Sequence, residues 1–184
     1  MPSGATIRPA AAGDVAAIAA IYGHHVRTGT ASFERAAPAA AEISRRWREI
    51  CAHGLPYLVA ERAGRIVGFA YASRHRTRSG YRFTVEDSVY VDAAELGRGN
   101  GRAPLGNLVE LCAGLGYRQM VAVIGGSETW PSIRLHAALG FTRVGVLPAV
   151  GFKFGSWVDI VLMQRALGPG ETAPPLEISS FDKE

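Results

Sequence analysis

A glycine-rich loop is the stretch whose residue types are best suited to hold a ligand. The segment "LGRGNGRA" carries three glycines and two arginines, has no acidic side chain, and runs directly into the helix-like "PLGNLVELCAGLG". The first turn of a helix presents unpaired amides and the positive end of the helix dipole, and glycines allow an anion to approach the main chain closely. The loop therefore predicts an anion site, and its arginines suit a diphosphate.

Two common nucleotide motifs do not match this loop. A P-loop needs a Gly-Lys-Ser/Thr sequence, and a dinucleotide motif that starts at Gly97 needs a small residue where Arg102 stands. Pro104 falls in the first turn of the helix, where a missing amide costs no hydrogen bond. A nucleoside triphosphate or NAD is therefore disfavoured. The alternative to an anion site is a plain turn with glycine caps.

Composition and charge limit the remaining function classes. The chain has 184 residues, 48% of them hydrophobic, which suffices for one domain with a sizeable core. It contains no transmembrane-length apolar run and no secretory signal layout, so we expect a cytoplasmic protein without membrane contact. The net charge of +4 comes from scattered arginines, which disfavours a nucleic-acid partner. Cys51 and Cys112 lack metal-ligand spacing, so we expect reduced cysteines and no metal.

The hydrophobic patterns predict alternating strands and helices in one sheet. Strands are predicted in "ATIRPA", "PYLVAER", "GRIVGFAYASRH", "YRFTVEDSVYVD" and "QMVAVIG", with two more in "FTRVGVLPAVGFKFGSWVDIVLMQRAL". Helices are predicted in "GDVAAIAAIYGHHVRTG" with Asp14 as N-cap, in "AAEISRRWREICAHG", after the glycine loop, and in "PSIRLHAALG". This order predicts an α/β (α+β) fold with helices on both faces of the sheet. Residues 1–167 form the predicted domain, and the Pro-rich, acidic residues 168–184 form a loosely ordered tail.

Three segments together resemble the GNAT superfamily of N-acetyltransferases. They are "SVYVDAAELGRGNGRAPL", "GYRQMVAVIGGSETWPSIRLHAALGF" and "VGFKFGSWVDIVLMQ", and they are most similar to the phosphinothricin and methionine sulfoximine acetyltransferase group. The resemblance extends over about residues 5–167. It implies a mixed, mostly antiparallel sheet of six or seven strands. The sheet is splayed between its fourth and fifth strands, and acetyl-CoA binds in the gap.

The resemblance also implies which residues bind acetyl-CoA. Main-chain groups of the fourth strand pair with the pantetheine amides, and amides of the glycine loop receive the pyrophosphate. The implied set is Val89, Tyr90, Val91, Leu96, Gly97, Arg98, Gly99, Asn100, Gly101, Arg102, Ala103, Thr129 and Ser132. Two positions depart from the family pattern, because Leu96 stands where the family has Gln or Arg and Thr129 stands where members often carry Asn.

Acetyl transfer to an amine needs a base, and the resemblance implies that this base is Glu86. An α-ammonium group is mostly protonated at neutral pH, so its proton has to be removed before the nitrogen can attack. Strand alternation in "FTVEDSVYV" puts Thr84 and Glu86 on one face of the sheet and Asp87 on the other. The alternative for Glu86 is an ordinary solvent-facing carboxylate.

His136 is the second predicted catalytic residue. It stands where many family members have a tyrosine that protonates the CoA sulfur, and imidazole titrates near the working pH. We expect it to give a proton to the thiolate or to assist the base. The alternative is a histidine packed on the inner face of its helix. Ser132, one turn earlier, either bonds the cofactor or caps the helix.

The segment before Glu86 is predicted to select the substrate. In "RHRTRSGY" three arginines alternate ahead of a tyrosine, a layout that can aim guanidinium groups at a small acidic ligand. The alternative is a solvated loop. The substrate contacts that the resemblance implies are Phe33, Arg76, Arg78, Tyr81 and Thr84.

These residues predict an N-acetyltransferase that uses acetyl-CoA and acts on the α-amine of a small amino-acid analogue. Phosphinothricin, methionine sulfoximine and methionine sulfone share an α-amino acid head and a tetrahedral polar tail. Acetylation of a peptide N-terminus or a polyamine is the alternative, although the arginines argue against a polyamine. A non-catalytic acetyl-CoA-binding module is a further alternative. The hairpin "GFKFGSWVDI" resembles a shared edge of the family and implies a homodimer.

Overall fold

A seven-stranded mixed sheet forms the centre of the molecule. The structure is a computed structural model, and it describes residues 4–127 and 129–175. The strands are β1 (Thr6–Pro9), β2 (Tyr57–Arg62), β3 (Arg65–Arg74), β4 (Thr84–Val91), β5 (Gln119–Gly125), β6 (Thr142–Lys153) and β7 (Ser156–Ala166). They lie in the order β1-β2-β3-β4-β5-β7-β6. Only β4 and β5 are parallel neighbours within this described sheet, which confirms the predicted mixed, mostly antiparallel arrangement.

Helices cover both faces of the sheet, as predicted. They are α1 (Val15–Thr28), α2 (Ala40–Ala52), α3 (Arg102–Gly114) and α4 (Trp130–Ala137). Ile18 of α1 and Ile43 of α2 pack with Phe69 on one face of the sheet. Leu105 of α3 packs with Ala70 on the other face, because neighbouring residues of a strand point to opposite sides. None of these described helices has the length and apolar character needed to cross a lipid bilayer.

Two tight hairpins connect neighbouring strands. The turn between β2 and β3 consists of Ala63 and Gly64, with φ values of 48° and 75°, and the turn between β6 and β7 consists of Phe154 and Gly155, with 51° and 76°. Positive φ at both central residues matches the right-handed twist of the flanking strands. β2 and β3 therefore form a two-residue hairpin, and Phe154 occupies a backbone region that large side chains seldom adopt.

The two parallel strands separate partway along their length. Their register runs from Thr84 opposite Gln119 to Asp87 opposite Ala122. The strands themselves continue to Val91 and Gly125, but these remaining described residues do not pair with each other. The predicted splay between the fourth and fifth strands is therefore confirmed.

Asp14 precedes α1 directly, but its side chain does not cap that helix. Its carboxylate accepts hydrogen bonds from the Arg8 guanidinium at 2.7 and 2.8 Å and from the Ala11 amide at 2.8 Å. The hydrogen bonds from Arg8 lower the pKa of Asp14 although burial opposes this. Asp14 is therefore the N-cap residue of α1 as predicted, but a charged partner on β1 takes its carboxylate, which makes no capping hydrogen bond to the helix.

The segment after β7 begins against the domain. Leu167 is buried, and the Arg118 guanidinium donates to the carbonyl oxygen of Pro174 at 2.7 Å. Residues 176–184 of the predicted loose tail lie outside the described residues, so that part stays a prediction.

A buried ion pair attaches α4 to β4. His136 Nε2 donates to Asp87 Oδ2 at 3.0 Å, and Nδ1 donates to the carbonyl oxygen of Ser132 at 2.7 Å. The carbonyl acceptor requires a proton on Nδ1, and the Asp87 carboxylate favours a second proton on Nε2. Burial lowers the pKa of His136, but the hydrogen bond and charge of Asp87 and the Ser132 carbonyl outweigh burial, and the pKa is raised.

The raised pKa of His136 predicts a stability contribution that falls as pH rises. The folded state holds this proton more tightly than the unfolded state, whose histidine titrates near 6.5. The contribution is therefore complete below that pH and is lost as pH rises through the folded pKa. We expect the difference in unfolding free energy between the wild type and His136→Gln, measured in urea from about pH 6 to about pH 9, to shrink with pH. The exposed His53→Gln is the control, and a pH-independent difference for His136→Gln would contradict the ion pair.

Candidate active site

The opening between β4 and β5 forms a cleft that reaches the glycine loop. Its outer part has a volume of about 400 Å³ and is lined by the second half of β4, the glycine loop and the start of α4. All the predicted acetyl-CoA contacts line it except Arg98 and Ala103. A narrower inner part continues between the strands to Asp87 and His136. The structure thus brings the predicted cofactor residues together around one cleft.

The glycine loop adopts the backbone that its composition predicts. Gly97 and Gly99 have φ values of 73° and 77°, in the left-handed region that disfavours other residues. The helix α3 then begins at Arg102, whose side chain is exposed. A Cβ atom on Gly101 would lie 3.1 Å from Leu135 Cδ2, so the loop packs closely against α4. The Arg102 amide donates to the carbonyl oxygen of Gly99 at 3.0 Å. A helix start is favourable for an anion because the amides of a first turn lack intrahelical partners.

Asn100 uses its side chain within the protein. It is 4% exposed, its Oδ1 accepts a hydrogen bond from the Arg62 guanidinium, and its Nδ2 donates to the carbonyl oxygen of Glu95 at 3.0 Å. Arg62 also donates to the Glu95 carboxylate at 2.8 Å. These contacts hold the glycine loop against β2, so the side chain of Asn100 shapes the loop and only its main chain is available to a ligand.

Three of the predicted polar contacts already have partners. His25 of α1 donates from Nε2 to the carbonyl oxygen of Val91 at 2.7 Å, which leaves one lone pair of that carbonyl for a ligand. The Thr129 hydroxyl donates to the carbonyl oxygen of Gly125 at 2.7 Å. Ser132 Oγ lies 3.4 Å from His136 Nδ1, at the boundary of the two parts of the cleft.

The loop between α1 and α2 closes the far side of the opening. Lys153 at the end of β6 is buried, and its Nζ donates to the carbonyl oxygens of Gly29 at 2.8 Å and Ser32 at 2.5 Å. Phe33 lies directly over Gly151, where an added Cβ atom would come within 2.5 Å of the ring. Lys153 therefore fixes the loop that carries Phe33, the predicted substrate aromatic.

Glu86 lies on the other face of β4 from the Asp87–His136 ion pair, at the end of the β3–β4 hairpin. Its Oε2 is 3.3 Å from His75 Nδ1, and Tyr81 packs edge-on against the His75 ring with centroids 6.0 Å apart. Burial raises the pKa of Glu86, while the hydrogen bond and charge of His75 and the charge of Arg76 lower it, and the net shift is upward. The hairpin thus brings Glu86, Arg76 and Tyr81 near one another, and their role in a substrate site stays a prediction.

The remaining predicted residues make no side-chain hydrogen bond to Glu86 within the part of the chain that the structure describes. Thr84 is on the Glu86 face, opposite Gln119 of β5. Arg78 precedes the short helical turn Ser79–Tyr81, where its carbonyl oxygen accepts from the Tyr81 amide at 2.9 Å, and its side chain is exposed. His136, on the opposite face of the sheet, is not placed to assist Glu86. Its alternative role as a proton donor to the thiolate stays a prediction.

Sequence reasoning missed three residues that shape this site. Arg62, His75 and Lys153 contact Asn100, Glu86 and the α1–α2 loop respectively. Arg62 and Lys153 act across separations of 38 and 121 residues, which no local pattern reveals. His75 stands in the arginine-rich segment, where the sequence gives no sign that sets it apart from its neighbours. The bond partner of His75 depends on the exact register of the hairpin.

Comparison with known proteins agrees with this geometry. A family model described as an acetyltransferase (GNAT) domain matches residues 7–162. Phosphinothricin N-acetyltransferase of Alcaligenes faecalis is 52% identical over 170 residues, which are 92% of this chain and 86% of that protein. L-Methionine sulfoximine/L-methionine sulfone acetyltransferase of Salmonella typhimurium is 41% identical over 163 residues, 88% of this chain and 94% of that protein.

A solved structure matches the fold over nearly the whole chain. It is a GNAT superfamily phosphinothricin acetyltransferase from Sinorhizobium meliloti in complex with acetyl-CoA, 46% identical, with a TM-score of 0.92 and coverage of 95% of both chains. The splayed sheet, the glycine loop and these matches lead to one conclusion: the chain belongs to the GNAT family of acetyltransferases.

Proposed function

We propose that this protein transfers the acetyl group of acetyl-CoA to the α-amine of a small amino-acid analogue of the phosphinothricin or methionine sulfoximine type. The observation that carries the proposal is the division of β4. Its second half lines the cleft beside the glycine loop, and its first half holds Glu86 beside the arginine-rich hairpin. The activities named for the two relatives support this choice of substrate.

The cleft fits the chemical groups of acetyl-CoA. Exposed Arg98 and Arg102 and the amides at the start of α3 suit the pyrophosphate, since charge-assisted hydrogen bonds to phosphate are strong. Main-chain groups of β4 that do not pair with β5 suit the pantetheine amides. Exposed Leu96 offers an apolar contact where the family pattern has a polar one. Acetyl-CoA supplies the acetyl group as an activated thioester.

Glu86 acts as the general base in this proposal. It takes a proton from the substrate ammonium group, directly or through one water, so that the neutral amine attacks the thioester carbonyl carbon. The upward pKa shift caused by burial moves the carboxylate toward the working pH and makes it a better proton acceptor. Its ionised form is retained by the nearby His75 and Arg76.

The departing thiolate needs a proton, and the α4 side of the cleft offers one. His136 is cationic and buried beside Asp87, and Ser132 Oγ lies between its Nδ1 and the outer cleft. We assign proton donation to His136, with the Ser132 hydroxyl in position to pass the proton on. The acid and the base then lie on opposite faces of β4, which keeps their protons apart.

The β3–β4 hairpin and the α1–α2 loop form the amine side of the site. Arg76 and Arg78 provide positive charge for a carboxylate or a phosphinate, and Phe33 and Tyr81 provide apolar walls. Positive charge favours a small acidic amino acid over a polyamine. A peptide N-terminus would need an open groove at the same place.

We further propose a cytoplasmic homodimer that pairs through the β6–β7 edge. Phe152, Phe154 and Trp157 on this hairpin are 59%, 62% and 69% exposed. Exposed aromatic clusters of this kind mark protein interfaces more often than free surface. Sedimentation velocity of the wild type and of Trp157→Ser tests the proposal. We expect a dimeric wild type and a monomeric variant, and a monomeric wild type would contradict the proposal.

An assay of thiol release from acetyl-CoA tests the proposed activity. The acceptors are phosphinothricin, methionine sulfoximine, methionine sulfone, common amino acids, a short peptide and spermidine. Turnover of the tetrahedral analogues alone supports the proposal. Turnover of the peptide or spermidine moves the function to the alternative acceptors, and silence with acetyl-CoA still bound favours a non-catalytic module.

Charge reversal at Arg102 tests the pyrophosphate contact. We expect Arg102→Glu to raise the Kd for acetyl-CoA at least about tenfold, because a favourable charge becomes a repulsive one. Isothermal titration calorimetry measures it. Arg48→Glu on α2 makes the same change of net charge at another exposed position and serves as the control. Equal affinity of the two variants would exclude Arg102 from the site.

Removal of the Glu86 charge tests the base. We expect Glu86→Gln to lower kcat at least ~100-fold while the Kd for acetyl-CoA changes little, because only proton removal is lost. Glu110→Gln, on the exposed face of α3, controls for loss of a carboxylate. A wild-type rate for Glu86→Gln would remove this residue from the mechanism.

A further inference from the structure

His75 is placed to control the carboxylate of Glu86. It follows Arg74, the last residue of β3, and the register of the hairpin puts Ser73 directly opposite Glu86. The His75 side chain therefore lies one step beyond the ladder and turns back toward the neighbouring strand. Its Nδ1 lies 3.3 Å from Glu86 Oε2. This distance is slightly long for a hydrogen bond, as is common for catalytic groups before a substrate binds.

The imidazole ring is itself held in place. Tyr81 contacts it edge-on, with ring centroids 6.0 Å apart and an interplanar angle of 73°. The His75 side chain is 19% exposed and that of Glu86 33%, so both groups are partly withdrawn from water. A hydrogen bond between partly buried groups is worth more than one at the surface. The ring position is thus set by packing, and the carboxylate orientation follows from the ring.

We propose that His75 is a positioning residue for Glu86, whose Oε2 it holds with an Nδ1–H donor so that Oε1 is directed at the substrate amine. The proposal rests on the proposed acetyltransferase activity and deepens it. It explains how a carboxylate on a strand end keeps one orientation, since a free glutamate side chain samples several rotamers. It also adds a titratable group next to the base.

The surroundings of Glu86 make this contact consequential. Burial raises the pKa of Glu86, and the hydrogen bond and charge of His75 are the largest opposing influence. The neighbouring Asp87 raises the pKa through its negative charge, and Arg76 lowers it. Tyr71 of β3 is a further titratable neighbour, since its pKa is raised by burial and also by the charge of Glu86. Without His75, the pKa of Glu86 rises further and more of its carboxylate is protonated.

Two matched substitutions distinguish the effect of the His75 hydrogen-bond donor from that of its aromatic ring. His75→Phe keeps an aromatic ring against Tyr81 and removes the hydrogen bond. His75→Asn keeps an amide donor near the position of Nδ1 and removes the imidazole ring. The measurements are kcat, both KM values and the pH profile of kcat/KM from about pH 5.5 to about pH 9, since the acid limb reports the base of the free enzyme.

We expect His75→Phe to lower kcat about tenfold and to move the acid limb to higher pH, with an unchanged KM for acetyl-CoA. His75→Asn should recover most of the rate near pH 8 because its donor remains. Wild-type kcat and an unshifted acid limb in both variants, with Glu86→Gln still inactive, would overturn the role of His75 alone. A fully active Glu86→Gln would overturn the proposed mechanism itself, so the two failures are distinguishable. Far-ultraviolet circular dichroism establishes that both variants fold.

Discussion

The separation of β4 from β5 beyond Asp87 and Ala122 is the constraint on which the rest of the site depends. A buried main-chain group without a partner is costly, so a sheet opens only where something else satisfies or covers the exposed groups. Here α4 covers one face of the opening and the α1–α2 loop covers the other. The glycine loop closes the outer end, and a cleft long enough for an extended ligand is the result.

Neighbouring carboxylates on β4 have opposite environments because a strand alternates its side chains. Asp87 is sealed beneath α4 against a cationic imidazole, and its role is to bind the helix to the sheet. Glu86 is on the other face, partly open to solvent, with His75 beside it. One residue of offset thus separates a carboxylate that is buried in an ion pair from one that is partly open to solvent. A shift of one residue in the register would exchange these roles.

Much of this arrangement was predictable from local patterns. The alternation along β4, the order of the elements and the glycine loop each follow from short stretches of sequence, and the structure agrees with all three. The contacts that the sequence did not reveal are between distant segments. Arg62 bonds Asn100 across 38 residues, and Lys153 reaches the α1–α2 loop across 121 residues. Local propensity carries no information about such partners, since they depend on how completed elements pack.

The two halves of the cleft are built from different parts of the chain. The half beside the glycine loop relies on backbone amides and positive φ, whereas the half at the β3–β4 hairpin and the α1–α2 loop relies on side chains. In the proposed function, substitutions on the side-chain half change which amine is accepted while the backbone half continues to bind the same donor. Such a division favours evolvability, because new acceptor preferences can arise by point mutation without loss of the acetyl source.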